Sequence, residues 1–319
     1  MRPAKRLLCI FTVLCLTFSL FSCNEERNSE GYDFKDSTGA SVSLESKPVR
    51  VAVLFSSFAD IWIEAGGNIA VTVGESVERG IADEGVILVD SGSGHTLIDT
   101  ETLIAAEPDF VIATADYPVQ VETVGLMREV GIPSALFSVE TFEDYLSVLK
   151  IFTDILGTEE IYEEQSANMR EHIADTVKRA QALTESADGS MLFIRAGSSA
   201  RSTKAKRGED HFGAAMLEEM GLYNIADDAT VLLDGLSLEH IITVDPDTIF
   251  VTFMGNEEAA RNYMDTLLAS DGYSSLTAVK EGRVYYLSRD LFHYKPNGAW
   301  CEAYDTLYYM LLSAFANDE

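Results

Sequence analysis

The chain has 319 residues, of which 52 are acidic and 23 are Lys or Arg, so its formal net charge is −29 at pH 7. A surface this negative repels nucleic acid and anionic lipid headgroups, which excludes nucleic acid as a partner. The hydrophobic fraction of 47% is that of a globular protein rather than a disordered acidic tail, and the length suffices for two domains of ordinary size.

The N-terminus has the order of a secretory signal peptide. Three basic residues lie before position 7, residues 7–21 are apolar, and the small Ser22 precedes Cys23. This apolar run is shorter than the roughly twenty residues that a permanent membrane helix needs. We therefore expect residues 1–22 to be cleaved.

The end of this segment, Leu20-Phe21-Ser22-Cys23, resembles the lipobox of bacterial lipoproteins, in which the cysteine receives a diacylglycerol before cleavage. Phe21 departs from the small or aliphatic residue usual there, and an ordinary signal peptide cut elsewhere is the alternative. We predict an extracytoplasmic protein on the outer face of the cell membrane, lipid-anchored through Cys23. Residues 23–48 would form a tether and an N-terminal hairpin.

Strands alternate with helices along residues 49–157, which we predict to form an N-terminal α/β lobe. The patterns predict strands at 49–55, 69–73 and 133–137 and helices at 58–65 and 121–130. Continuous β-branched runs of this kind are typical of strands buried on both faces of a parallel sheet.

A single long helix is predicted within residues 158–187. Residues 159–183 contain neither Gly nor Pro, and glutamates gather at the start while Lys178 and Arg179 lie near the end, which suits the helix dipole. Because one long helix is stiffer than a pair of extended strands, we do not expect large hinge closure.

Residues 188–319 repeat the alternation and are predicted to form a C-terminal α/β lobe. Strands are expected at 191–195 and 283–287, and helices at 212–220, 259–268 and 300–315. The predicted fold class is therefore α/β, with two lobes of mostly parallel sheets joined by one long rigid helix.

An internal repeat relates the two halves. Residues 101–114 and 239–252 both follow the pattern E-x-[LI]-I-x-x-x-P-D-x-[VI]. Each copy predicts a short helix that ends before a proline, followed by a buried strand. One helix–turn–strand unit used twice implies two similar lobes.

Together with the lipobox, several segments resemble the substrate-binding lipoproteins of bacterial ABC importers for iron-siderophores, haem and cobalamin. They are a hairpin at 34–39 before Lys47-Pro48-Val49-Arg50-Val51, the two repeated units, and Gly221-Leu222-Tyr223-Asn224-Ile225-Ala226, and the resemblance runs from about residue 32 to 312. Residues 291–297 with Trp300 are similar to a subgroup described as iron-complex transport. The resemblance implies the class III periplasmic-binding-protein fold, with a ligand held between two rigidly linked lobes.

The resemblance also implies a permease partner. In that family, one glutamate on each lobe meets arginines of the permease dimer, and these glutamates head the repeated unit. They correspond here to Glu101 and Glu239. The alternative is that each glutamate only supports the first turn of its short helix.

Candidate ligand-binding residues lie in loops that follow strands, because ligands of open α/β sheets bind outside the carboxyl ends of the strands. They are Ser56, Ser57, Phe58, His95 and Tyr117 in the first lobe, and Arg195, Lys204, Phe253, His293, Tyr294, Lys295 and Trp300 in the second. Basic side chains of this set could bind carboxylates of haem propionates or of a ferric chelate, and a solvated loop is the alternative. Aromatic side chains could stack on a flat or catecholate-bearing ligand, and core packing is the alternative.

His293 and Tyr294 could also ligate haem iron directly, although hydrogen bonding is the more frequent role of such residues. The histidines do not have a spacing that would chelate a bare zinc or manganese ion, so no metal site and no cofactor are predicted.

The predicted function is the capture of a ferric siderophore or haem between two lobes and its delivery to an ABC permease. A cobalamin-binding component and a surface sensory or adhesion lipoprotein without a transport role are the alternatives. An enzyme is not predicted, because the sequence has no G-x-S-x-G, H-E-x-x-H, P-loop or C-x-x-C pattern.

Overall fold

Each half of the chain builds one β-sheet, and a single long helix connects the two halves. The computed structural model describes residues 31–187, 189–229 and 231–316, so the predicted signal peptide and Cys23 lie outside the described residues. Within these ranges, no helix combines the length and the apolar character needed to cross a bilayer.

The first lobe follows an antiparallel hairpin. The hairpin consists of β1 (Tyr32–Lys35) and β2 (Ser41–Leu44), and the lobe contains the strands β3 (Val51–Val53), β4 (Val71–Val73), β5 (Ile87–Asp90), β6 (Phe110–Thr114) and β7 (Ser134–Phe137). Its helices are α1 (Ser56–Glu64), α2 (Gly74–Glu78), α3 (Thr100–Ala105), α4 (Pro118–Glu129) and α5 (Phe142–Leu156). The five strands of the lobe are parallel, in the order β5-β4-β3-β6-β7.

The second lobe follows helix α6 (Glu159–Ala187). Its strands are β8 (Ser190–Ala196), β9 (Lys204–Ala205), β10 (Tyr223–Asn224), β11 (Thr248–Phe253) and β12 (Val284–Tyr286). Its helices are α7 (Phe212–Glu219), α8 (Val231–Asp234), α9 (Leu238–Val244), α10 (Glu257–Leu268), α11 (Thr277–Lys280), α12 (Arg289–Phe292) and α13 (Trp300–Phe315). The parallel order is β10-β8-β11-β12, and β9 pairs antiparallel with β8.

The predicted fold class is confirmed: the structure has two mostly parallel sheets and one long helix of 29 residues. Two differences between the predicted and the observed elements have causes in the neighbouring residues. Strand β3 is shorter than the predicted strand 49–55, because the N–H groups of Val49 and Arg50 bond to a side chain and not to a neighbouring strand. Helix α5 was not predicted, and a capping box begins it, in which Thr141 and Asp144 bond to each other's backbone N–H groups.

One hydrophobic core runs through both lobes. It includes inward-facing residues of both sheets, such as Phe137 and Phe193, and the buried sides of α5, α6 and α13. Trp300, which is 1% exposed, packs edge-on against Phe142 of the first lobe and Phe212 of the second. Because the lobes share this core, moving one sheet relative to the other would disrupt apolar packing.

The repeated unit has the same backbone form in both lobes. Glu107 and Asp245, the residues before the two prolines, have φ values of +50° and +53°. Such left-handed residues reverse the chain after α3 and α9, and the proline prevents each helix from continuing.

The aspartate that follows each proline ties the unit to the first strand of its lobe. The Asp109 carboxylate accepts hydrogen bonds from the N–H groups of Val49 (2.7 Å) and Arg50 (2.8 Å), just before β3. The Asp247 carboxylate accepts from the N–H (2.8 Å) and hydroxyl (2.6 Å) of Ser190, which begins β8. The Pro-Asp part of the repeat therefore serves folding.

We expect Asp247→Ala to lower the free energy of unfolding by about 2 kcal/mol, since hydrogen bonds to a charged group contribute roughly 1.5–3 kcal/mol. Denaturant titration measures the change. Asp228→Ala is the control, because among the described residues the Asp228 carboxylate accepts a hydrogen bond from the exposed Tyr223 hydroxyl alone. Equal effects of the two substitutions would contradict the structural role of Asp247.

Candidate functional site

Two contacts join the loops at the carboxyl ends of strands in the first sheet to the second lobe, and we call the region where they meet the cleft. The guanidinium carbon of Arg79, which follows α2, lies 4.2 Å from the ring centroid of Tyr294. The Lys295 Nζ atom lies 2.7 Å from a carboxylate oxygen of Glu140. These contacts bring the loops after β4 and β7 of the first lobe to the segment after α12 of the second.

The first-lobe side of the cleft carries one polar cluster. Ser56 begins α1 directly after β3, and its hydroxyl donates to the Glu75 carboxylate. The same oxygen accepts a hydrogen bond from Arg79 Nη1 at 3.1 Å. Glu75 lies in α2, so the ends of β3 and β4 are joined through this serine.

Three rings form a second group on this side. The Tyr117 ring packs edge-on against Phe55 and His95, with centroid separations of 5.6 and 4.5 Å. Burial, followed by the nearby carboxylates of Glu75 and Asp116, raises the pKa of Tyr117. Tyr117 therefore remains a neutral hydrogen-bond donor at the cleft.

The second-lobe side carries two arginines. Arg195, near the end of β8, pairs across the sheet with Thr252, whose hydroxyl donates to the Phe292 carbonyl at 3.2 Å. Arg289 begins α12 and donates to the Gly255 carbonyl at 2.8 Å. Its guanidinium carbon lies 5.7 Å from the ring centroid of Tyr294, the ring that Arg79 also approaches.

His293 lies among these three arginines. Burial lowers its pKa, and the charges of Arg289, Arg195 and Arg79 lower it further. At neutral pH His293 is therefore an uncharged imidazole in a cationic surrounding.

His211 lies deeper on the same side. Burial and then the charges of Lys295, Arg195 and Lys206 lower its pKa to about 3. Its Nδ1 atom accepts the Gly213 N–H at 3.0 Å at the start of α7, which leaves the proton of the neutral ring on Nε2.

Arg128, Arg170, Arg179, Arg207 and Arg261 form ion pairs, whereas Arg50 and Arg201, like the arginines of the cleft, form none with another described residue. Within the described ranges, Arg79, Arg195 and Arg289 form no ion pair. The Nε atom of Arg195 is buried and lacks a hydrogen-bond partner there. The cleft thus presents net positive charge on a strongly negative chain.

Three predicted ligand-binding residues lie in hydrophobic cores, which corrects the prediction. Phe58 and Trp300 belong to the core shared by the lobes, and Phe253 belongs to the core on the outer side of the second sheet. Their exposed fractions are 2%, 1% and 0%, so they have no surface to offer a ligand. The side chain of an aromatic residue that follows a strand or begins a helix can point into a hydrophobic core or toward solvent. In this structure all three side chains point into the cores.

Ser57 is also buried, and its carbonyl accepts a hydrogen bond from Asn297 Nδ2 at 3.1 Å. This contact links α1 to the segment before α13. Lys204 pairs with Arg195 across β8 and β9, so these two side chains project from the same face of the sheet.

The structure therefore brings Tyr117, Arg195, His293, Tyr294 and Lys295 to the cleft, with Lys204 and the exposed His95 at its margins. The predicted Ser56 is buried at 1% exposure, and its hydroxyl bonds to Glu75 and Arg79, so it supports the cleft and offers no surface to a ligand. The structure adds Arg79 and Arg289, which the sequence reasoning missed. Arg289 comes directly after a predicted strand, so the rule that ligands lie at strand ends could have found it. Arg79 is separated from β4 by the short helix α2, which the sequence pattern did not reveal.

Glu101 and Glu239 lie in the first turns of α3 and α9. Both residues are exposed, and neither carboxylate has an ion pair or hydrogen bond with another described residue. Asp99 caps α3 by accepting the Thr102 N–H at 3.0 Å. In the same ranges, no group of three or more His, Cys, Asp or Glu residues is arranged to hold a metal ion.

Comparison with known proteins gives a consistent result. A family model described as periplasmic binding protein matches residues 51–291. An uncharacterized ABC transporter substrate-binding lipoprotein, YvrC of Bacillus subtilis (strain 168), is 22% identical over 261 residues, which cover 80% of this chain and 78% of YvrC.

Solved structures share the fold at low sequence identity. The petrobactin-binding protein YclQ of Bacillus subtilis has a TM-score of 0.68 at 19% identity, over 91% of this chain and 100% of YclQ. The periplasmic heme-binding protein RhuT of Roseiflexus sp. RS-1 in apo form has a TM-score of 0.65 at 18% identity, over 83% and 98%. At these identities the similarity shows a shared fold alone. The two proteins are named for different ligands.

We expect His211→Gln to make stability less sensitive to acid. An unfolded histidine takes up a proton near its ordinary pKa of 6.5, whereas native His211 resists protonation down to about 3. The free energy of unfolding therefore falls as the pH drops through this window, and glutamine removes that contribution while keeping an acceptor for Gly213.

Unfolding titrations at several pH values between 6.5 and 3.5 measure the difference. The slope of stability against pH should decrease by about one bound proton. Parallel curves for the two proteins would contradict a neutral His211 in the native state.

Proposed function

This chain belongs to the periplasmic binding protein family, and we propose that it captures an iron complex in the cleft and delivers it to the permease of an ABC importer. The family consists of solute-binding components of transport systems, which confirms the prediction that the chain is not an enzyme. The observation that carries the proposal is the cleft, where strand ends of both sheets meet and positive charge lacks an internal partner.

An iron complex is favoured over other solutes by two observations. Proteins with the same fold include one named as a petrobactin-binding protein and one named as a periplasmic heme-binding protein, and siderophores and haem are both organic carriers of iron. The cationic cleft suits the acidic groups that such complexes carry. The position of the cleft at the carboxyl ends of the strands is the usual place for a ligand in an α/β sheet.

Docking to the permease is assigned to Glu101 and Glu239. Each lies at the same place in its repeated unit, on a different lobe, and each carboxylate is left free for a partner. Helix capping does not need Glu101, because Asp99 caps α3.

An exposed isoleucine follows each of these glutamates by three residues. Ile104 follows Glu101, Ile242 follows Glu239, and both are 42% exposed. On a helix this spacing places acid and isoleucine on one side, which would let each lobe present a carboxylate and an apolar contact together.

The double substitution Glu101→Lys with Glu239→Lys tests this docking. Replacing attraction by repulsion at two sites costs several kcal/mol, so transport should fall by at least about tenfold while ligand affinity stays the same. Uptake in cells and ligand titration of the purified protein give the two readouts.

Glu122→Lys with Glu258→Lys is the matched control, because these glutamates are exposed on α4 and α10 and lie outside the repeated units. Normal uptake by the Glu101 and Glu239 variant, or an equal loss in the control, would refute the assignment.

We also propose that the chain is lipid-anchored through Cys23, as its relative YvrC is described as a lipoprotein. Cys23→Ser removes the only atom that could carry the thioether. The variant should appear in the soluble extracytoplasmic fraction and bind ligand with unchanged affinity. Membrane retention after a high-salt wash, which removes charge-bound protein, would contradict the lipid assignment.

A further inference from the structure

Among the described residues the cleft arginines have no carboxylate partner, although Arg79 bonds to the Ser56 hydroxyl and Arg289 to the Gly255 carbonyl. The chain has more than twice as many acidic as basic residues, and other arginines use them: Arg128, Arg170, Arg179, Arg207 and Arg261 all form ion pairs. Arg79, Arg195 and Arg289 come from three separate elements and meet around His293 and Tyr294 without a carboxylate between them.

The carboxylates nearest to the cleft are already engaged. Glu75 accepts the hydroxyl of Ser56, and Glu140 pairs with Lys295. Three like charges brought together in a partly buried place repel one another, and bound anions relieve that repulsion. The repulsion among the three arginines is therefore relieved when a ligand with several negative groups binds.

The geometry of guanidinium groups indicates which anion fits. Arginine presents parallel N–H donors in a planar fork that matches a carboxylate in two-point contact. Three guanidinium groups that approach the cleft from separate elements suit a ligand whose carboxylates point in different directions. The buried Nε of Arg195, which lacks a partner among the described residues, is a donor that such a contact would satisfy.

The aromatic side chains argue against a flat macrocycle. Phe58, Phe253 and Trp300 are buried, and the Tyr294 ring already has Arg79 4.2 Å from its centroid. The remaining rings on the first-lobe side meet edge-on, with Tyr117 at 88° to Phe55 and 81° to His95. Among the described residues, these rings therefore do not form one flat apolar face against which a porphyrin or corrin would stack.

We propose that the ligand is a ferric chelate of the carboxylate class, whose carboxylates bind Arg79, Arg195 and Arg289. This inference rests on the proposed function and narrows it from iron complexes in general. Ferric citrate and the ferric complex of a citrate-based siderophore are the probes of this class. A ferric tris-catecholate, a ferric trihydroxamate and hemin are the competing probes.

Calorimetric titration of the purified protein with each probe tests the proposal, and absorbance follows hemin. A carboxylate complex should bind most tightly, with an affinity that falls as salt is raised. Tightest binding of hemin, the trihydroxamate or the tris-catecholate would overturn the carboxylate assignment and leave the proposed function standing. Failure of all five probes would instead count against the iron-complex function itself.

Single substitutions test the three arginines. Arg79→Gln, Arg195→Gln and Arg289→Gln should each weaken binding of the carboxylate complex by about tenfold or more, since a charge-assisted two-point contact is lost. The corresponding Arg→Lys variants keep the charge and should recover only part of the affinity. Full recovery with lysine would show that general attraction suffices and would overturn the two-point contact.

Arg170→Gln is the matched control, because it removes one positive charge from the exposed ion pair that Arg170 of α6 forms with Glu143 of α5. It should leave the affinity unchanged. An equal loss in this control would mean that net charge, rather than the cleft, determines binding. Thermal unfolding of each variant shows whether the fold is kept.

Discussion

The hydrophobic core shared by the two lobes is the constraint on which the rest of the structure depends. Helices α6 and α13 bury apolar sides against both sheets, and Trp300 fills the space between Phe142 and Phe212. Core packing at this density resists displacement, so the strand ends that border the cleft are kept at one spacing. Small polar links such as Asn297 to the Ser57 carbonyl then orient the segment that carries His293 and Tyr294.

This rigidity allows an unfavourable charge arrangement to persist. Three arginines that repel one another would move apart on a flexible surface, but each is attached to an element that the cores hold. Burial keeps His211 and His293 neutral beside them, which avoids further positive charge. If the cleft binds an anion as we propose, the arginines are already in place in the folded protein, and binding has little ordering left to impose.

The repeated unit divides its residues between folding and recognition. Its aspartates, Asp109 and Asp247, fasten the first strand of each lobe, and the residues before the prolines turn the chain. Its leading glutamates, Glu101 and Glu239, have no comparable structural contacts and remain exposed on two different lobes. A pair of equivalent acids on one stiff body suits a partner with two equivalent cationic sites.

The sequence by itself determined the fold class, the long α6, the bounds of α13 and the repeat, because these follow from local apolar periodicity and from Gly and Pro positions. It also predicted candidate ligand-binding residues in the loops that follow strands, and of these Arg195, His293 and Tyr294 border the cleft. Only the tertiary structure decided that Phe58, Phe253 and Trp300 face cores, and that Arg79 and Arg289 join Arg195. The direction of a side chain at a strand end, and whether an arginine meets a carboxylate, depend on residues far away in the chain, which no local pattern records.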